Sequence, residues 1–227
     1  MGEFVGTALS LGDLLVIGDK ESTFGNCLNV DLIAVSFAKW SGAKSYEKIV
    51  CIGSSMGGFN AMTLGPLLGA QAVLAIVPQF SVHPEVYPTL QCPHARILRE
   101  RIPVPPAEWK FKTAEDSLHH NGTAKGKKIH IYIIHGGDDA ERQHADKFNH
   151  GDNIFHFEIA FLLHEAVPAF LKERKMLRPL LSACADMVQP CVIETIFQRA
   201  NVPYQRRSPL PRMCWLPQGI WEKPDDE

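Results

Sequence analysis

The sequence predicts an α/β domain: a mostly parallel sheet flanked by helices, with an irregular C-terminal appendage. Three observations predict it. Short runs rich in Val, Ile and Leu alternate with stretches whose apolar residues recur every three or four positions. About 30 residues separate the first two runs, which is room for a crossover helix between parallel strands. A glycine-rich turn then joins the second run to a helical stretch. With 227 residues, 45% of them hydrophobic, the chain can bury the core of one such domain.

Residues 13–18, DLLVIG, read as the first buried strand, followed by the loop DKESTFGN. In 29–41 Val30, Ile33, Phe37 and Trp40 share one helical face behind Asn29 as N-cap, and Gly42 closes the helix. KIVCIG (48–53) is the second strand, Met56–Leu68 the second helix and AVLAIV (72–77) the third strand. Residues 78–128 hold seven of the sixteen prolines and read as a cap-like surface excursion with local helix at 94–101. The sheet resumes with IHIYII (129–134) and NIFHFEIA (153–160), and 165–181 reads as one helix with Pro168 and Pro179 near its ends. The domain is expected to cover 1–185. Residues 186–227, Pro-rich with isolated Trp215, Ile220 and Trp221, read as an irregular extension that packs on the domain or on a partner, such as a second copy of the chain.

A formal net charge of −2 gives no basic surface for nucleic acid or an anionic membrane. The opening residues lack the basic and apolar regions of a signal peptide, and no run is long enough to span a membrane. Cys27, Cys51, Cys92, Cys184, Cys191 and Cys214 form no CxxC pair, so reduced thiols in a cytoplasmic protein are expected. The sequon Asn121-Gly122-Thr123 is then incidental. His135, Asp138, Asp139, His144 and His150 cluster in sequence but match no metal-ligand spacing, so neither metal nor cofactor is expected.

The turn Gly53-Ser54-Ser55-Met56-Gly57 fits G-x-S-x-G, with only Ser55 flanked by glycine two residues away on both sides. Such a turn lifts a serine above the sheet edge, and small neighbours let strand and helix approach. The Met56 N–H at the helix N-terminus is positioned for an oxyanion, and the GDKEST loop, from Gly18 on, is the candidate for a second donor. The competing reading is a packing turn that holds a phosphate. A nucleophilic serine needs a base and an orienting acid, in the order Ser, Asp or Glu, His, from loops after later strands. His164 follows the last strand. Asp138 and Asp139 follow the one before, with Glu141 a third choice that sequence cannot separate from them.

With these residues in that order, the chain resembles the α/β-hydrolase superfamily. The likeness extends to IGSSMGGFNAMTLGPLLGAQAVLAIVPQFSV (52–82), HADKF (144–148) and HEAVPAFLKERKMLRPLL (164–181), which are similar to a group of small bacterial hydrolase-like proteins, some of them linked to surface polysaccharides. The resemblance implies a reduced form of that fold. It implies Ser55 as nucleophile, His164 as base, Asp138 or Asp139 as acid, and Met56 as oxyanion donor.

The leading expectation is therefore a serine esterase acting on a small-molecule or glycan ester, with Phe80, Val82, Tyr87 and Trp109 of the excursion lining an acyl pocket. The alternatives are an acyltransferase or deacetylase acting on carbohydrate, which shares the acyl-enzyme, and a non-catalytic accessory protein that keeps the fold.

Overall fold

The computed structural model describes residues 4–91, 93–120, 129–149 and 151–208. Cys92, Cys214, the sequon, Lys127-Lys128, His150 and the distal extension with Trp215, Ile220 and Trp221 lie outside the described residues.

A five-stranded sheet runs in chain order: β1 (Val50–Ser54), β2 (Ala72–Ile76), β3 (His130–Gly136), β4 (Ile154–Ile159) and β5 (Gln205–Arg206). The first four strands are parallel and β5 closes the far edge antiparallel to β4. β2 and β4 are buried along their whole length, as the unbroken apolar runs require of a sheet covered on both faces. The side chains of β2, β3 and β4 alternate between two cores. Leu74, Ile76, Tyr132, Ile134, Phe155 and Phe157 point to one, while Val73, Ala75, Ile131 and Ile133 point to the other.

Helices α1 (Val5–Leu9) and α2 (Val30–Gly42) precede the sheet, and α2 begins at Asn29, whose side chain accepts the Leu32 N–H at 3.0 Å. Helix α3 (Met56–Leu67) crosses from β1 to β2 and packs on Val73 and Ala75 through Phe59, Met62 and Leu64. The excursion after β2 carries α4 (Pro93–Arg101), a short 3-10 turn (Pro106–Glu108) and α5 (Asp116–His120). It is more than a surface covering. Val82, Tyr87, Leu90, Ile102, Trp109 and Phe111 are buried in the same core as α3. After β3, α6 (Asp139–Ala145) packs beside the excursion, its His144 ring against Tyr87, and the opposite face is covered after β4 by α7 (Ala166–Glu173), α8 (Leu177–Ala185) and α9 (Pro190–Arg199), which supply the core there.

Three expectations are corrected. Residues 13–18 form no strand. They run beside the open edge of β1 with Leu15, Val16 and Ile17 exposed, and a cavity of about 300 Å³ lies between them and Val50–Ile52. Side-chain anchors replace a ladder at both ends: Asp13 accepts from Lys44 Nζ at 2.6 Å and from Tyr46 Oη, and Asp19 accepts the Thr23 and Gly25 N–H groups. The helix expected over 165–181 is two helices. Lys175 adopts φ 54°, its N–H reaches Lys172 O at 3.0 Å, and the Met176 N–H reaches Leu171 O at 2.9 Å. This is a Schellman ending without the glycine that marks it in a sequence. Both prolines then fall in first turns, where no helical hydrogen bond is lost.

The third correction concerns the extension, whose described part is ordered. α8 and α9 end in the same way at Met187 and Asn201, and the residues that follow, Val188 and Val202, are buried like Met176. α9 enters the core through Val192, Ile193, Ile196 and Phe197, and Phe197 stacks on Tyr204 at 5.0 Å. Phe197→Ala is accordingly expected to lower stability by about 3–5 kcal/mol, the range for emptying a buried aromatic site. Gln198→Ala, one residue along, should stay within about 0.5 kcal/mol. Urea unfolding followed by circular dichroism measures both; a small loss at Phe197 would mean that α9 only rests on the surface.

Candidate active site

Four loops leave the C-terminal ends of β1 to β4 on the same side of the sheet, where open parallel sheets gather their functional groups. The first is the serine turn. Gly53 lies so close to α3 that a Cβ on it would stand 1.9 Å from Gly57 O, which only glycine avoids. Ser55 caps α3 with φ 56° and ψ −125°, a strained conformation for a residue with a side chain. Its N–H is tied to Ile76 O at 2.9 Å and its carbonyl to the Phe59 N–H at 3.0 Å, so the surroundings hold the strain in place. The Met56 N–H, at the first position of α3, has no acceptor within the helix.

Ser55 Oγ lies 2.9 Å from His164 Nε2. His164 stands on the loop after β4, one-fifth exposed, and its Nδ1 hydrogen bonds to Glu141 Oε1. Glu141 is buried on α6. A carboxylate on Nδ1 keeps the proton there, which leaves Nε2 as acceptor for the serine hydroxyl. Of the three acids that the sequence offered, it is Glu141 that faces the histidine.

Asp138 and Asp139 stand elsewhere. Asp138 is the N-cap of α6: Oδ1 accepts the Glu141 N–H at 3.0 Å, and Oδ2 accepts the His164 N–H at 3.1 Å. It joins the two loops through their backbones and leaves the imidazole to Glu141. Asp139 points to solvent with its side chain 93% exposed. The reason is helical geometry, since a cap residue spends its carboxylate on the first turn and the residue three further on points inward. Gly137 completes the junction. Its N–H reaches Leu162 O at 2.9 Å, and a Cβ there would stand 2.2 Å from Ala160 O.

Burial by itself lowers the His164 pKa, but the hydrogen bond and charge of Glu141, aided by Glu165 and Asp138, outweigh it and hold the imidazole above its ordinary value. Burial pushes the Glu141 carboxyl up, against the pull of His164. His144, one turn along α6, is brought down to about 4 by burial, so it stays neutral and does not compete for Glu141.

The other expected residues are less central. Gly18 is exposed on the unpaired 13–18 segment, and its neighbour Asp19 turns back on its own loop. Tyr87 is buried, donates to Gln143 O at 2.7 Å and sets its ring against His144. Trp109 is buried, donates to Val104 O at 2.8 Å and meets His83 edge to face. Val82 is buried and Phe80 half-buried, its ring against Phe148. One residue at the serine went unread in the sequence: the buried Gln79, whose Nε2 lies 3.0 Å from Ser55 Oγ. Its place shortly after a predicted strand end, beside the serine turn's strand, is the signal that could have found it. Among the described residues no group of three or more His, Cys, Asp or Glu is arranged to hold a metal ion.

The dual role of Asp138 makes a stability prediction. Asp138→Ala strips two backbone N–H groups of their acceptor and should cost about 1–3 kcal/mol. Asp139→Ala should change stability by less than about 0.5 kcal/mol. Equal losses in thermal unfolding would contradict this division of labour.

No protein-family model and no curated protein matches the sequence. Among solved structures the chain is similar to MGS-MChE2, an alpha/beta hydrolase enzyme from the metagenome of sediments from the lagoon of Mar Chica, Morocco, at 17% identity. That likeness covers 66% of this chain and 75% of the other at a TM-score of 0.31, which is too low to bear on how the site works.

Proposed function

We propose that the protein is a serine hydrolase that cleaves a carboxylic ester through an acyl-enzyme on Ser55. The observation that carries this is the hydrogen-bonded series of hydroxyl, imidazole and carboxylate, with Ser55 Oγ 2.9 Å from His164 Nε2 and Glu141 behind Nδ1. The resemblance of 52–82 and 164–181 to the α/β-hydrolase superfamily agrees with it, as does the strained strand-to-helix turn at Ser55.

In this reading His164 Nε2 takes the Ser55 proton as Oγ bonds to the acyl carbon, and the carbonyl oxygen becomes an oxyanion facing the Met56 N–H. The C–O bond to the alcohol then breaks, and His164 returns the proton to the leaving oxygen. Water repeats the sequence: it gives a proton to His164, attacks the acyl carbon and releases the acid, while Oγ recovers its proton. Glu141 holds the tautomer and stabilises the imidazolium in both halves. The substrate is a small-molecule or glycan ester. Phe161 and Leu163, exposed on the loop that carries His164, offer apolar surface for its acyl part. Free thiols at Cys27, Cys51 and Cys184 fit the cytoplasmic setting inferred from the sequence.

A fluorophosphonate probe should label the wild type, and neither Ser55→Ala nor His164→Ala should take the label. With p-nitrophenyl acetate, Glu141→Gln is expected to lower kcat by about 10³–10⁴-fold, the scale for losing the acid behind a catalytic histidine. A well-folded wild type that takes no label would sink this reading. Only the neutral imidazole can act as base, so activity should rise with pH through the His164 pKa, with a midpoint above the ordinary 6.5. Glu165→Gln removes one of the charges that raise that pKa and should move the midpoint down at an unchanged plateau. A midpoint below 6.5 in the wild type would mean that burial, not Glu141, governs the imidazole.

A further inference from the structure

We propose that the side-chain amide of Gln79 is the second oxyanion donor, acting with the Met56 N–H; this rests on the hydrolase reading of Ser55. Gln79 is the contribution of β2 to the same loop edge that takes Ser55 from β1, Glu141 from β3 and His164 from β4. It is 3% exposed, with Nε2 3.0 Å from Ser55 Oγ.

The donor sense follows from proton counting. Glu141 leaves His164 Nε2 as an acceptor, so the single Ser55 proton goes to His164. The remaining bond to Oγ must then be donated, and the Gln79 NH₂ donates it. In the tetrahedral adduct the oxyanion sits on the carbon that Oγ has just bonded. A donor already within reach of Oγ meets that oxygen by a small side-chain rotation and gives up a bond to a hydroxyl for a stronger one to an anion.

The backbone is built to hold this amide. Val77 takes φ 45°, a costly conformation for a β-branched residue, one residue beyond the Ser54–Ile76 pair and level with strained Ser55. That turn carries Pro78 and Gln79 over the serine. The Pro78 carbonyl can only accept, so it takes the Nε2–H of buried His135 at 3.1 Å. His135 Nδ1 is left to accept from His156 Nε2 at 2.7 Å. Burial drives the His135 pKa down to about 3, so the imidazole stays neutral and this pattern persists across the working pH range. The loop that the sequence suggested for the second donor, at Gly18, is exposed and engaged with itself.

The test compares Gln79→Met, which keeps the size and removes the donor, with Gln79→Glu, which keeps the shape and replaces the donor with an acceptor. With p-nitrophenyl acetate both should lose about 10²–10³-fold in kcat, the scale for one oxyanion donor, while KM changes by less than about threefold. Affinity for phenylboronic acid, which forms a tetrahedral adduct on the serine, should fall by a comparable factor, and in Gln79→Met, which adds no charge, the pH midpoint should not move. A kcat within threefold of wild type in both variants overturns the assignment. So does a kcat loss with unchanged boronate affinity, which marks a merely structural support. In the wild type itself, forming the boronate adduct should shift the Gln79 side-chain amide signals in ¹⁵N NMR; signals that stay put overturn the proposal even if neither variant folds. A wild type that neither takes the fluorophosphonate label nor turns over ester overturns the hydrolase reading, and this assignment with it.

Discussion

The parallel ladder of β1 to β4 is the constraint on which the rest of the site depends. Its register aligns Ser54 with Ile76, Ile76 with Ile134 and Ile134 with Phe157, so β1 and β2 end on one level, β3 and β4 run on together for two residues, and four loops leave the same edge of the sheet. Glu141 and His164 each stand five residues beyond the last β3–β4 pair, Gly136 with Ile159. Equal loop reach from neighbouring strands brings a carboxylate to an imidazole. A slip of one residue in any strand would invert its side chains between the two cores, so core packing and site geometry are fixed by the same register.

Close backbone approach and local strain turn that alignment into chemistry. Ser55 and Val77, side by side at the ends of β1 and β2, both take positive φ, and each is held by a hydrogen bond to the neighbouring strand: Ser55 N–H to Ile76 O and Val77 N–H to Ile134 O. Strain of order 1–3 kcal/mol per residue persists only where such bonds over-determine the backbone. The buried histidines extend the same logic. His135 and His144 are kept neutral by desolvation, so neither adds charge beside Glu141, and His135 serves as a fixed donor to the Pro78 carbonyl.

The face opposite α3 is closed by a repeated device. α7, α8 and α9 end one after another in the same left-handed turn, and each hands a buried apolar residue (Met176, Val188, Val202) back to the core. That repeated turn folds residues 166–202 tightly enough for β5 to reach β4, where Arg207 and Arg142 pair with the buried Glu158. At the opposite edge β1 has no such cover among the described residues. The 13–18 segment runs alongside it without pairing, which leaves the cavity and the exposed Leu15 and Val16.

What the sequence by itself determined is what local pattern can encode. Gly53 and Gly57 around Ser55 announce a tight strand-to-helix turn, the apolar runs of β2 to β4 announce buried strands, and Asn29 announces a helix start. The His164 loop was legible for the same reason, as the histidine that follows the last predicted strand in a fixed chain order. Tertiary structure alone decided the rest. Asp138, Asp139 and Glu141 are equivalent as letters; the cap at Asp138 and the helical turn that follows choose Glu141, because one helix can aim only one of them inward. Gln79 carries no motif, and its place depends on strand β2 lying beside β1 and on a strained turn at Val77. Residues 13–18 have a strand's composition yet lack a ladder, and side-chain anchors at Asp13 and Asp19 tie their ends instead. Composition states a preference for burial or extension, while pairing depends on where the rest of the chain leaves a partner within reach.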